Sequence, residues 1–117
     1  MNTITEKINH LNQLVVDGKL MDAFELYYDD AVVMQENELP PVKGKEANRK
    51  RELEFLNNIM EFRGATPTKI ATGDNVSYVT WQYDYTHKEW GVKNYTQVSV
   101  QHWNNGKIVK EQFIYNN

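Results

Sequence analysis

Polar and apolar side chains alternate along residues 75–115, and this pattern predicts three long antiparallel strands. In the first strand, Trp81, Tyr83 and Tyr85 share one face. The second strand, residues 92–103, and the third, residues 107–115, place a further set on the same inner face: Tyr95, Gln97, Ser99, Gln101, Trp103, Glu111, Phe113 and Tyr115. Two strands therefore have aromatic inner faces while the middle one carries amides and a hydroxyl. This mixture favours a pocket with a polar floor over a dry core.

Turn and cap signals separate the other elements. Asn104-Asn105-Gly106 predicts a tight hairpin, because Asn-Gly tolerates the positive φ angles of such turns. Thr3 and Glu6 have capping-box spacing for a first helix, and Gly18 is suited to end it in a left-handed conformation. The apolar face of that helix consists of Ile4, Ile8, Leu11, Leu14 and Val15.

The middle of the chain is predicted to hold two more helices, residues 20–28 and 45–60, and two strands, residues 31–34 and 61–72. Pro67 indicates an edge position for the second of these strands. Residues 36–44 contain Pro40-Pro41 and Gly44, so we expect a loop that crosses the mouth of the cavity. Helices followed by strands predict one α+β domain, residues 1–117, with three N-terminal helices packed on a strongly curved antiparallel sheet.

Composition excludes several kinds of function. The chain has no cysteine, so a disulfide, a thiolate nucleophile and a zinc–thiolate site are impossible. Thirteen basic and sixteen acidic residues argue against nucleic acid as the main partner. Because no secretory leader and no apolar run of membrane-spanning length is present, we expect a cytoplasmic protein without a membrane partner.

A basic cluster opens the third predicted helix: Lys45, Arg49, Lys50 and Arg51. Such a cluster could bind an anion or nucleic acid. Glu46, Glu52 and Glu54 lie in the same segment and balance its charge. A solvated helix face is therefore the favoured interpretation.

Three short segments resemble the NTF2-like superfamily, and within it the SnoaL-like polyketide-cyclase group. They are residues 24–33 (FELYYDDAVV), residues 44–47 (GKEA) and residues 103–109 (WNNGKIV). The resemblance covers nearly the whole chain in element order. It implies a cone of three helices against a bent sheet, with a pocket inside and often a homodimer through the outer sheet face. Val98, Val100 and His102 would lie on that outer face, and the two valines form an apolar patch that a partner could cover.

The resemblance also implies where an acid–base group would lie. In the ketosteroid isomerases of this superfamily, the base corresponds to Gln35 here, and the oxyanion-hole tyrosine and acid correspond to Leu11 and Ser99. None of these three side chains can perform the isomerase role. Steroid isomerisation by that mechanism is therefore not expected.

Glu111 is the one carboxylate predicted on the inner face of the last three strands. Burial near aromatic rings would raise its pKa and make it a general acid or base. Alternatively, it serves only structure, hydrogen-bonded to Gln97, Ser99 or Gln101, or it is exposed beside Lys110. Glu36 is a weaker candidate, because it points away from Gln35 and the loop would solvate it.

The histidines do not predict a metal site. His10 is expected to be half exposed on the first helix, His87 belongs to a hairpin end, and His102 lies on the outer face. None has another ligand at suitable spacing on its own face. No phosphate-binding glycine loop or nucleophile elbow occurs, so no cofactor is expected.

Two main functional hypotheses follow from these observations, together with a third, weaker one. In the first, the protein binds a small hydrophobic or cyclic molecule, with aromatic walls and with Gln35, Gln97, Ser99 and Gln101 orienting the ligand. In the second, it is a cofactor-independent lyase, isomerase or cyclase that uses Glu111. In the third, it is a protein-interaction module that works through the outer sheet face.

Overall fold

The computed structural model describes residues 3–116. Within them it contains helices α1 (Ile4–Val16), α2 (Leu20–Tyr27) and α3 (Lys45–Asn57). The strands are β1 (Tyr28–Glu36), β2 (Val42–Lys43), β3 (Ile59–Gly73), β4 (Val76–His87), β5 (Gly91–Asn104) and β6 (Lys107–Tyr115). The predicted α+β class, with three helices and a curved sheet, is confirmed.

The six strands form one sheet in the order β2-β1-β6-β5-β4-β3. All neighbours are antiparallel except β1 and β6, which pair in parallel. The prediction of a purely antiparallel sheet is corrected in this respect. The chain can bring β1 beside β6 in parallel because α3 and four strands separate them in sequence.

Irregular pairing bends the sheet around its inner face. The β3–β4 ladder shifts register three times, and Phe62, Gly64 and Pro67 lie beside these shifts. Extra residues of this kind bend a strand and increase its twist. Because β3 lies at the sheet edge, as predicted, Pro67 costs no central hydrogen bond.

Local signals place the ends of α1 and of the last hairpin. The Thr3 hydroxyl accepts the Glu6 N–H at 3.1 Å, and Gly18 has a φ of 78° just beyond the helix. Asn105 and Gly106, with φ of 52° and 78°, form the turn between β5 and β6.

The strand predicted at residues 31–34 is longer, because β1 already begins at Tyr28 and includes Asp29 and Asp30. Two other predicted boundaries were also wrong. The third helix ends at Asn57, and Ile59 and Met60 begin β3 because Ile59 pairs with His87 across the sheet. The segment predicted as a loop, residues 36–44, includes β2, which pairs Val42 with Met34. In both places a pairing partner distant in sequence overrides the local pattern.

The core lies at the closed end of the cone, between α1, α2 and the inner sheet face. Its buried apolar residues include Ile8, Leu11, Ala23, Phe24, Val32, Val79, Trp81, Trp103 and Ile108. At the other end, α3 leaves the sheet uncovered in part, and the interior opens into a cavity.

Candidate functional site

A cavity of about 1130 Å³ lies between the helices and the concave face of the sheet. Its closed end is formed by residues of α1 and α2 together with Tyr28 and Met34 of β1. Leu39 lines its mouth from the segment between β1 and β2, where the sequence predicted a crossing loop. The volume is large enough to hold a small organic molecule.

Aromatic rings from β4, β5 and β6 form one wall. Trp81 and Tyr83 are stacked with ring centres 5.5 Å apart, and Tyr83 lies 5.8 Å from Tyr95. Tyr95 in turn contacts Tyr85, through a 2.8 Å hydrogen bond between hydroxyls, and Tyr115. The alternation of strand residues brings these rings onto one face, as predicted.

The floor of the cavity is a directional hydrogen-bond chain. The indole Nε1–H of Trp103 donates to Ser77 Oγ at 2.9 Å, and the Ser77 hydroxyl donates to Gln101 Oε1 at 2.7 Å. Gln101 Nε2 then donates to Glu111 Oε2 at 2.8 Å, and the Tyr28 hydroxyl donates to Glu111 Oε1. Because Ser77 occupies the carbonyl oxygen of Gln101, the amide must present its N–H groups to Glu111.

Burial controls the ionisation of Glu111, whose exposed fraction is only 2%. Loss of hydration raises its pKa from 4.5 to about 7, although hydrogen bonds from Tyr28 and Gln101 favour the ionised form. The charges of Glu52 and Glu36 contribute to the same rise. Glu111 can therefore accept or donate a proton near neutral pH, and Tyr28, whose pKa burial raises well above 10.0, stays a neutral donor beside it.

Two more carboxyl groups and one guanidinium face the same interior. Burial raises the pKa of Glu52 to about 7 and also raises that of Glu36, while Arg51 opposes both shifts. Arg51 lies 3.7 Å from Glu36 and 3.5 Å from Glu52. The pair of Arg51 with Glu36 joins α3 to the end of β1.

An aromatic stack forms part of the cavity mouth. The imidazole of His87 lies flat on the indole of Trp90, with ring centres 3.7 Å apart and an angle of 8°. Phe55 of α3 contacts both rings. His87 Nδ1 accepts the Glu89 N–H at 3.1 Å, so the neutral imidazole carries its proton on Nε2. His87 is thus a buried cavity residue, where the sequence predicted only turn chemistry.

The structure brings most of the predicted site residues together. The cavity lining includes Trp81, Tyr83, Tyr85, Gln97, Ser99, Gln101, Glu111, Phe113 and Tyr115. Trp103 is buried behind this lining and takes part through its bond to Ser77. The functional role of each residue stays a prediction.

The prediction that Gln35 lines the cavity was wrong. This side chain is absent from the cavity lining, and its amide donates to the Leu39 carbonyl at 2.9 Å. In the parallel ladder Gln35 pairs with Gln112, whereas Met34 pairs with Glu111 and Glu36 with Phe113. Paired residues share a face, so Glu36 faces the interior and Gln35 faces out.

The sequence interpretation missed Arg51 and Glu52 by assigning the basic cluster to solvent. Part of that cluster does lie at the surface, because Lys45 and Arg49 pair with Glu25 of α2. A signal was nevertheless present: Asn48, Glu52 and Phe55 recur at helical spacing, so Glu52 shares the helix edge that packs inward.

The remaining histidines lie away from the cavity. His10 Nδ1 is 2.5 Å from the Tyr27 hydroxyl, and His102 is exposed on the outer sheet face. Across residues 3–116, no group of three or more potential ligands could hold a metal ion. No helix in that range is both long and apolar enough to cross a membrane.

The sequence profile of the SnoaL-like domain family matches residues 2–115. The chain belongs to this family. Among solved structures, it is similar to a proposed SnoaL-like polyketide cyclase from Mesorhizobium loti, also described as a carbohydrate phosphatase. The TM-score is 0.86 at 26% identity, over 97% of this chain and 99% of that chain. The comparison with curated proteins finds no match.

Two more distant structures show the same fold. An NTF2-like protein of unknown function from Burkholderia pseudomallei has a TM-score of 0.83 at 11% identity, over 99% of this chain and 92% of that one. A protein with a ketosteroid isomerase-like fold from Catenulispora acidiphila, crystallised with trimethylamine, has a TM-score of 0.78 at 13% identity, over 97% and 88%. The SnoaL-like family supports a ligand-binding or cyclase- and isomerase-type function.

Proposed function

We propose that this SnoaL-like protein binds a small, largely apolar and cyclic molecule inside its cavity. The observation that carries the proposal is a cavity of about 1130 Å³ with stacked aromatic walls and one polar floor. Aromatic faces provide flat apolar contact, while Gln97, Ser99 and Gln101 provide the few directional groups that orient a ligand.

A second candidate function is cofactor-independent proton transfer by Glu111. The pKa of about 7 and the position of this carboxyl in the cavity lining support it. One observation argues against this candidate. Gln35, Leu11 and Ser99 stand where the resemblance places the base, the tyrosine and the acid of the ketosteroid isomerases. We therefore rank binding first and catalysis second.

The first test measures binding of the neutral dye Nile red by its fluorescence. Gln97 lines the cavity and Thr96, its neighbour on β5, is exposed on the outer face. We expect Gln97→Trp to weaken binding by about 10-fold or more because the indole fills the cavity, and Thr96→Trp to change it by less than about 2-fold. Equal effects of the two substitutions, in variants that fold, would show that the dye binds elsewhere.

The same experiment separates the two functions through Glu111→Gln. A binding protein keeps its affinity for Nile red within about 3-fold in this variant, because the amide preserves shape and polarity. A proton-transfer enzyme would exchange the α protons of 2-tetralone for deuterium and lose about 100-fold or more of that rate in Glu111→Gln. Exchange that is independent of Glu111 would remove the second candidate.

The expected homodimer is also part of this proposal. On the outer face, Tyr78 pairs with Val100 and Val98 with Ile114, so four apolar side chains form one patch. Tyr78 and Ile114 are among the exposed large apolar residues. A second copy of the chain would bury this patch.

We expect Val100→Glu to convert the dimer to a monomer, measured by sedimentation velocity, because a buried unpaired carboxylate is costly at an interface. Val16→Glu, at an exposed position at the end of α1, is the control and should leave the dimer intact. A wild-type monomer at high concentration would contradict the dimer. Capture of a different partner that Val100→Glu abolishes would favour the interaction-module hypothesis.

A further inference from the structure

The cavity that serves the proposed function is rich in acidic groups. Its interior contains three carboxyl groups, on Glu36, Glu52 and Glu111, and one guanidinium, on Arg51. Its rim adds Glu54, His87, Glu89 and Lys93. Ligands with negative charge are therefore disfavoured throughout the cavity.

Among the described residues, Arg51 is the one cation of the cavity interior, and it is already engaged in ion pairs. Arg51 pairs with Glu36 and Glu52, and its Nη2 donates to Asn48 Oδ1 at 3.3 Å. Glu111 is held instead by the neutral groups of Tyr28 and Gln101, and no basic side chain of residues 3–116 forms an ion pair with it. The Glu36 Oε2 atom is buried and lacks a hydrogen-bond partner within the described part of the chain.

The wall between these carboxyl groups consists of electron-rich rings. Tyr83 lies at its centre, between the rings of Trp81 and Tyr95. Tyr83 lines the same cavity as Glu36, Glu52 and Glu111. Burial raises the pKa of Tyr83, and the charges of these three carboxyl groups also raise it. A cation on this ring face is attracted by the quadrupole of the ring and also by the negative charges of the neighbouring carboxylates.

We propose that the ligand of this cavity is an organic cation: a molecule with an apolar cyclic body and an ammonium or similar group held between the tyrosine wall, Glu52 and Glu111. This proposal rests on the proposed function and names the chemical class of its ligand. A neutral ligand would leave the carboxyl groups to repel one another. A cation removes that repulsion and stabilises their ionised forms.

The test compares two probes of the same shape, 4-(hydroxymethyl)phenyltrimethylammonium and 4-tert-butylbenzyl alcohol, whose hydroxyl groups do not ionise between pH 5.5 and pH 8.5, by isothermal titration calorimetry. At pH 8.5 we expect the cation to bind about 10-fold tighter or more than its neutral isostere. Because the quaternary group has no proton, any pH dependence belongs to the protein. We expect its affinity to fall by about 10-fold between pH 8.5 and pH 5.5 as Glu52 and Glu111, with pKa values of about 7, gain protons. The series is repeated with His87→Gln, because His87 also lines the cavity.

Substitutions of the cavity carboxyl groups test where the positive charge of the probe binds. We expect Glu52→Gln and Glu111→Gln each to lower the affinity for the cation by about 3- to 10-fold while the neutral probe changes by less than about 2-fold. Glu46→Gln, on the exposed side of α3, is the control and should change neither.

The possible outcomes distinguish failure of the cation proposal from failure of the proposed binding function. Equal affinity for the two probes would overturn the cation proposal and leave the binding function standing. A preference for the cation that survives both Glu52→Gln and Glu111→Gln would also overturn it, because the charge would then be held elsewhere. Failure of Nile red and both probes to bind would overturn the binding function itself.

Discussion

Between pH 5 and pH 8, the stability of Glu111→Gln relative to the native protein is expected to rise by roughly 2–3 kcal/mol. Burial raises the pKa of Glu111 from 4.5 to about 7, so the folded state binds this proton more tightly than the unfolded state. The native protein therefore loses stability as the pH rises from 4.5 through 7, and the loss levels off above that range. Glutamine is neutral at both pH values and has no such loss.

Urea denaturation of both proteins at pH 5 and pH 8 measures this effect. Glutamine also replaces one acceptor oxygen of the Tyr28 and Gln101 bonds with an amide group, at a similar cost at both pH values, so the change with pH isolates ionisation. Glu46→Gln should show no comparable dependence, because Glu46 is exposed. If Glu111→Gln were instead less stable relative to wild type at pH 8 than at pH 5, the carboxylate would be a stabilising ion and our account of its burial would fail.

Replacing Phe24 with alanine is expected to lower the free energy of unfolding by about 3–5 kcal/mol, as for other large core residues. Phe24 is 1% exposed and its ring stacks on Tyr28 with centres 5.0 Å apart. Lys45 and Arg49 approach the same ring, with their charged groups 5.8 Å and 6.0 Å from its centre. The substitution removes apolar contact in a packed region and loosens the support of Tyr28, which holds Glu111.

Leu26 provides the matched control for Phe24, because it lies in the same helix and is 47% exposed. Leu26→Ala should change stability by less than about 0.5 kcal/mol. The check is chemical denaturation of both variants under the same conditions. Similar small losses in the two variants would mean that α2 does not pack on β1 as described.

Local sequence patterns determined much of this fold. Helical spacing located α1, and Gly18, Asn105 and Gly106 marked chain reversals because they adopt positive φ at low cost. Strict alternation in β4, β5 and β6 assigned Glu111 and the aromatic rings to one face. These signals work because a side chain's direction depends on the backbone conformation of its own segment.

Other features arise only when distant segments meet. The interior position of Glu36, rather than Gln35, depends on the parallel pairing of β1 with β6. The change from helix to strand at Ile59 depends on β4. The local sequence does not identify these partners, because the free energy of strand pairing depends on the side chains of both strands.

For the candidate site, the sequence by itself determined which kinds of side chain line the inner sheet face. The tertiary structure decided which residues from different elements lie close to one another. Alternation predicted a carboxylate among aromatic rings and a middle strand of amides. Only the packed chain placed Glu52 and Arg51 of α3 opposite Glu111 of β6, and only the bend of the sheet left a cavity where flat packing would have made a core. Ionisation followed from that geometry, because the pKa of a carboxyl depends on burial and on charges that other elements bring near it.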